Sequence, residues 1–267
     1  MLAEQRYQMI LNLLRENGSV RVSELKARLK VSSETIRRDL ETMETQGYLR
    51  RARGGALLNE GGIQESGYNR YTPFGIRKQE NADSKREIAE FAVTFIKDGQ
   101  SIALDSGTTA FALARAVKHR FHALTVVTNS MAIVNELADA KGITLIVTGG
   151  VYRPEEAAFV SDIAVLIFSK LNIDVFFLTT CGISVERGVT YQRMDEILVQ
   201  EKMLESSDKT VVIADSSKLG TNSLMKMCDV DRISMIITDS YAGEEQIAPF
   251  VKAGIQVKKY EKEKSIE

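Results

Sequence analysis

The chain has no tryptophan, three prolines, two cysteines and two histidines in 267 residues. Each shortage removes a class of protein. Cys181 and Cys228 are far apart and lack metal-ligand spacing, which excludes a disulfide-stapled scaffold and a zinc module. They read as two buried apolar thiols. His119 and His122 have a His-x-x-His spacing, but Lys118 and Arg120 flank them and no third ligand is near in sequence. A solvated helix end is the reading, and no metal is expected. No apolar run approaches the ~18 to 20 residues that span a bilayer, so no membrane partner is expected. The start, Met1 to Arg6, lacks the basic-then-apolar order of a signal peptide, which makes the cytoplasm the expected location.

A dominant sign of charge is missing too. The net charge is −1, so the chain as a whole is no polycation. Its halves differ, however: residues 1–60 carry eleven Lys/Arg against eight Asp/Glu. A nucleic-acid reading must therefore rest on where charge is placed.

Length and a composition of 44% hydrophobic and 27% charged residues suit two soluble domains, one small. The small one is legible first. Met9, Ile10, Leu13 and Leu14 form one apolar helical stripe, stopped at Asn17-Gly18. Val20 and Val22 are briefly extended, and Ser23 is placed as the cap of a second helix carrying Leu25 and Leu29. Ser32 then caps a third helix, expected to run to about Gln46 and to end at Gly47. On that helix Ile36, Leu40 and Met43 share one face, while Glu34, Arg37, Arg38 and Glu41 share the other. Tyr48-Leu49-Arg50-Arg51 and Ala56-Leu57-Leu58 read as strands of a hairpin with Arg53-Gly54-Gly55 near its turn. Three short helices followed by a basic hairpin make a winged helix-turn-helix over 1–58, and double-stranded operator DNA is the expected partner. Ser32, Ser33, Thr35, Arg51 and Arg53 are expected to hold phosphates, and Glu34, Arg37 and Arg38 to reach base edges. Too few base pairs lie under one such head for useful specificity, so a homodimer or homotetramer is expected.

Residues 59–77 read as a linker. From there to about residue 260, short continuous apolar runs alternate with helical stretches. They are Ser101–Leu104, Leu124–Val127, Ile143–Val147, Val175–Leu178, Val211–Ala214 and Ile233–Ile237. That alternation predicts an α/β domain with a mostly parallel open sheet covered on both faces. A Lys/Glu-rich tail from Lys258 reads as a polar terminus.

Small polar residues follow those strands: Asp105-Ser106-Gly107-Thr108-Thr109, Asn129-Ser130, Gly149-Gly150, and Asp215 with Lys218. Polar groups at the carboxyl ends of several parallel strands define one crevice. The loop after Leu104 enters a helix directly, which suits a phosphate, although neither Gly-x-Gly-x-x-Gly nor a Walker A sequence is present and no cofactor is implied. The expected ligand is a small phosphorylated sugar or polyol.

These motifs resemble the DeoR/GlpR-type regulators of bacterial sugar operons. The resemblance rests on Val31-Ser32, Thr35 to Leu40, Gly47 and Arg53 to Ala56 at one end. At the other it rests on Lys85 with Ile88-Ala89, Leu104 to Thr109, Thr128 to Ser130, Gly149-Gly150, Gly182-Ile183, Gly188, Glu196 and Asp215 to Lys218. It implies an effector domain similar to ribose-5-phosphate isomerase and the CoA transferases, with Glu196 as a further effector contact, in a repressor switched by a sugar phosphate. Three positions depart from the family pattern. Leu178-Thr179-Thr180 replaces an Ile-Gly-Ala run, Ser161 stands for a usual Gly, and Gln200 stands for a usual Lys, with Lys202 two residues on. The rival reading is a sugar-phosphate isomerase fused to a DNA-binding module, with Asp105 or Glu196 as its base.

Overall fold

The computed structural model describes residues 3–45, 49–58 and 72–262. Its contacts divide the chain between Arg77 and Lys78 into two compact units.

In the first unit α1 (Ala3–Asn17) ends where Gly18 turns to φ +69° and its amide bonds the Leu14 carbonyl at 2.8 Å. Then come β1 (Ser19–Arg21), α2 (Val22–Leu29), α3 (Ser33–Thr45), β2 (Leu49–Ala52) and β3 (Gly55–Leu58). The strands form one antiparallel sheet in the order β1-β3-β2. Its core gathers Ile10, Leu14, Leu25, Ile36, Leu40, Met43 and Leu49, all buried. The second helix begins one residue before its expected cap. Ser23 caps nothing, because the Val22 amide already bonds the Gly54 carbonyl of the hairpin turn at 2.9 Å. The expected end of α3 at Gln46-Gly47 lies outside the described residues, as do positions 59–71 of the expected linker. At the end of that linker Phe74–Arg77 forms a short helix, α4, within the first unit.

Gly55 is a position that tolerates no side chain. A Cβ there would lie 2.0 Å from the Val20 carbonyl oxygen, in the pairing of β1 with β3. Gly55→Ala is expected to cost about 1–3 kcal/mol as the strands part. A urea titration should show its midpoint fall, and an unshifted midpoint would mean that β1 can slide away freely.

The second unit runs through α5 (Ala82–Ala92), β4 (Ser101–Leu104), α6 (Thr108–Val117), β5 (Leu124–Thr128), α7 (Met131–Leu137) and β6 (Ile143–Val147). A hairpin of β7 (Val151–Arg153) and β8 (Ala158–Val160) leads through α8 (Asp162–Val165) to β9 (Ile173–Leu178). After β10 (Gly182–Ser184) and β11 (Gly188–Tyr191) come α9 (Met194–Glu205), β12 (Ser207–Ile213), β13 (Met225–Cys228) and β14 (Met235–Thr238). The unit ends with α10 (Glu244–Lys252) and β15 (Gln256–Lys259).

Seven strands build a wholly parallel sheet in the order β15-β14-β12-β9-β4-β5-β6. From β4 the chain steps one way along this sheet, and from β9 it steps the other. Right-handed crossovers then put the helices of the two halves on opposite faces. The core along β9 is Phe176, Phe177 and Leu178, all with no exposed surface. Lys258 and Lys259 belong to an edge strand rather than to the tail, where their charge discourages pairing with another sheet. Cys181 and Cys228 form no disulfide and are half-buried, not fully buried as expected. Burial still pushes the Cys228 thiol up to about 12.

Candidate functional site

The first unit carries its chemistry on α3. The Ser32 hydroxyl accepts the Thr35 amide at 3.0 Å and lies 2.8 Å from the Thr35 hydroxyl, so Ser32 caps the helix as expected. Ile36, Leu40 and Met43 then anchor one face, each burial contributing roughly 1.5–3 kcal/mol. Asp39 is buried as well, and Arg6 donates two hydrogen bonds to its carboxylate, at 2.6 and 2.8 Å. That leaves Glu34, Arg37, Arg38 and Glu41 outside. The Arg37 and Arg38 side chains are 65% and 80% exposed, with guanidinium nitrogens 4.0 and 3.7 Å from Glu34. Exposed pairs of that length contribute little and are readily exchanged for another anion. In the hairpin Glu44 accepts the Arg51 amide at 2.7 Å, and Glu41 lies 3.8 Å from the Arg51 guanidinium. Arg53 is exposed at the turn beside Gly54, which has φ +81°.

In the second unit the sheet reverses its stepping direction between β4 and β9, the place where open α/β sheets bind ligands. Asp105 follows β4 there and is turned into the protein. It has no exposed surface, and its carboxylate accepts the Gly107 amide at 3.0 Å, the Thr179 amide at 3.0 Å and the Thr179 hydroxyl at 2.7 Å. The Tyr191 hydroxyl lies 3.0 Å away and also bonds the Thr179 carbonyl. Burial pushes the Asp105 carboxyl above its ordinary range against the pull of these donors. Asp105 thus braces the loop from within.

Thr179, one of the departures from the family pattern, fills the space that Gly107 leaves open. A Cβ on Gly107 would meet the Thr179 hydroxyl at 2.0 Å. Sequence reasoning missed Thr179 and Tyr191 as partners of Asp105, because no local signal joins residues so far apart. Ser130 is fully buried, and its hydroxyl accepts the Ile133 amide at the start of α7. Ser106, Thr108 and Thr109 line the same strand end, largely buried.

After β12, Asp215 caps a 3-10 turn at Ser216–Lys218 and accepts Asn81 Nδ2 at 3.2 Å. The Lys218 ammonium makes no ion pair among the described residues. Lys85 is buried and donates to the Glu80 carbonyl at 2.6 Å.

The hairpin of β7 and β8 folds over the end of β5. The Phe159 amide bonds the Asn129 carbonyl at 2.7 Å, Asn129 Nδ2 donates to the Phe159 carbonyl at 3.0 Å, and the Met131 amide bonds the Ala157 carbonyl at 2.7 Å. Gly149 and Gly150 lead into this hairpin with φ +65° and +111°. Ion pairs from Arg153 to Asp195 at 3.8 Å and from Arg193 to Glu155 at 3.7 Å tie it to the start of α9. Glu196 is buried on the first turn of α9. Among the described residues no group of three His, Cys, Asp or Glu stands close enough to hold a metal, and no helix is long and apolar enough to cross a membrane.

Residues 6–61 match the DeoR-like helix-turn-helix domain, and residues 80–240 match the DeoR C terminal sensor domain. The chain is 37% identical over 254 residues to a candidate aga operon transcriptional repressor of Escherichia coli O157:H7, covering 95% of this chain and 92% of the other. It is 32% identical to the L-fucose operon activator of Haemophilus influenzae, covering 88% and 91% of the two chains. Among solved structures, ribose 5-phosphate isomerase A of Methanocaldococcus jannaschii is 17% identical with a TM-score of 0.38, covering 52% of this chain and 55% of that one. With both of its units matched, one on each side of the division in the fold, the chain belongs to the DeoR family of helix-turn-helix regulators.

Proposed function

We propose that the protein is a cytoplasmic repressor of a sugar or polyol catabolic operon, released from its operator by a phosphorylated sugar. The observation that carries this reading is the outer face of α3. Its two arginines are exposed opposite a buried apolar stripe and, among the described residues, held only by long contacts to Glu34. Arg37, Arg38 and Glu34 read base edges in the major groove, while Ser32, Ser33, Thr35, Arg51 and Arg53 hold phosphates.

In the sensor unit Ser106, Gly107, Thr108 and Thr109 receive the phosphate at the start of α6, with Lys218 as its counter-charge. Asn129, Gly149, Gly150, Glu196 and Asp215 take the sugar hydroxyls. A homodimer or homotetramer presents paired heads, and the exposed Ile163, Leu166, Met194 and Leu198 on and beside α8 and α9 supply apolar surface for such an assembly. Effector binding shifts subunit packing, and residues 59–77 pass that shift to the heads.

The isomerase reading is the weaker one. Asp105, one of its two candidate bases, is sealed among protein donors and reaches no solvent.

The test is binding of a labelled fragment from the DNA upstream of the protein's own operon, repeated with pentose and hexose phosphates. One of them should lower operator affinity by tenfold or more, equivalent to about 1.4 kcal/mol of coupling. Turnover of a sugar phosphate, abolished by Glu196→Gln, would overturn the regulator reading in favour of the enzyme. Equal effector affinity for free and operator-bound protein would remove the switch.

A further inference from the structure

One acid of α3 is turned away from the surface that the others share. The side chains of Glu34 and Glu41 are 65% and 68% exposed, whereas that of Asp39, between them in sequence, is 6% exposed. Its partner is Arg6, in the first turn of α1 and 33 residues earlier. The guanidinium Nε donates to one carboxylate oxygen at 2.6 Å and Nη2 to the other at 2.8 Å, a two-pronged contact between two helices that pack on each other. Arg38, whose guanidinium is exposed, directly precedes Asp39.

Burying two charges is costly, and their attraction does little more than repay it. Apolar side chains of similar volume would hold α1 on α3 as firmly, and the unit already has such side chains in Ile10, Leu14, Ile36 and Leu40. What apolar packing does not supply is direction. Hydrophobic burial follows area, and helix pairs packed by it scatter by about 15–20° in crossing angle. The apolar stripe thus decides which face of α3 turns outward and leaves the last degrees of rotation and slide open. A planar fork on a carboxylate closes them, because both bonds hold only when the two groups share one plane and one separation.

We propose that Arg6 and Asp39 are positioning residues for sequence reading: the pair sets α3 on α1 with the precision that base-edge contacts by Arg37 and Arg38 require. Neither of the two touches DNA, since each is turned into the fold. This role rests on α3 being the reading helix. Contacts to bases need placement within about 0.5 Å and 10–20°, whereas attraction to phosphates reaches about 8–10 Å and tolerates a shift. Loosening the pair therefore costs discrimination between sequences and spares general affinity for DNA.

The experiment measures binding of the full-length protein to two labelled duplexes, the fragment from upstream of its own operon and a scrambled sequence of equal length, beside melting temperatures without DNA. The double variant Arg6→Met/Asp39→Leu replaces the pair by apolar side chains of similar volume. It should melt at the wild-type temperature or above and bind scrambled DNA as the wild type does, while its preference for the operator falls about tenfold or more. Arg6→Lys, which keeps both charges but loses the fork, should likewise lose preference at unchanged affinity for scrambled DNA. Arg38→Ala is the control for the reading helix itself. If it lowers operator preference while both pair variants keep theirs, Arg6 and Asp39 do no positioning. A double variant that melts well below the wild type would show that the pair holds the fold together, and would overturn the assignment. Unchanged preference in Arg38→Ala would remove α3 as the reading helix, and the positioning role with it.

Discussion

Arg38→Ala is expected to weaken binding of the operator fragment by roughly 5- to 150-fold for each recognition helix engaged, the range of one bidentate base contact. The expectation follows from the way α3 is held. Ser32 fixes its start, and Ile36, Leu40 and Met43 fix its rotation, so the direction of residue 38 is determined by the core rather than by the surface. At 80% exposure the guanidinium forgoes only a 3.7 Å contact with Glu34 when it turns to a base. Folding should be indifferent to the change, to within about 0.5 kcal/mol. Arg53→Ala should behave differently. Loss of a phosphate contact weakens binding to operator and scrambled DNA alike and lowers the salt slope by about 1. Fluorescence anisotropy with both DNAs at several salt concentrations separates the two effects. Unchanged operator affinity for Arg38→Ala at fixed salt would remove α3 as the reading helix.

The contrast between α3 and Asp105 shows what a sequence carries locally and what it does not. The faces of α3 follow from residues three and four apart and from a cap three residues upstream, so every interaction involved lies within one helix. The parallel strands were equally legible, because burial on both faces requires continuous apolar runs such as Ile143–Val147. The antiparallel sheet β10-β11-β13 and the hairpin β7-β8 were not. Their strands are three or four residues long, and partners elsewhere in the chain complete them. The last strand, Gln256–Lys259, has a single apolar residue and reads as tail until β14 is there to pair with it. Ser23 satisfies the local rule for a cap, yet a carbonyl in the hairpin turn had already taken the helix start. Asp105 is the plainest case. Its position after a strand is legible, but its partners are not: Thr179 and Tyr191 come from 74 and 86 residues away.

That burial makes Asp105→Ala strongly destabilising to the sensor unit. Removing the carboxylate leaves the Gly107 amide, the Thr179 amide and the Thr179 hydroxyl without an acceptor in a site with no water access. At about 1–3 kcal/mol for each orphaned donor, the loss should reach roughly 3 kcal/mol or more. The melting temperature should then fall by about 6 °C or more. The protonation state adds a sign. The Tyr191 hydroxyl donates toward both the Asp105 carboxyl and the Thr179 carbonyl, and its single proton is shared between them. Burial outweighs the donors around Asp105 and raises its carboxyl. A carboxyl raised in the folded state gives stability that is fully present below its unfolded value, near 3.8, and that is lost as pH rises through the folded value. Asp105→Asn, neutral at every pH, should therefore be less stable than the wild type by an amount that is largest in acid and narrows as pH rises. Melting curves of the two proteins from about pH 4 to pH 8 measure that gap. A gap constant across the range, or one that widens with pH, would mean that Asp105 is ionised in the folded protein and held by its donors alone.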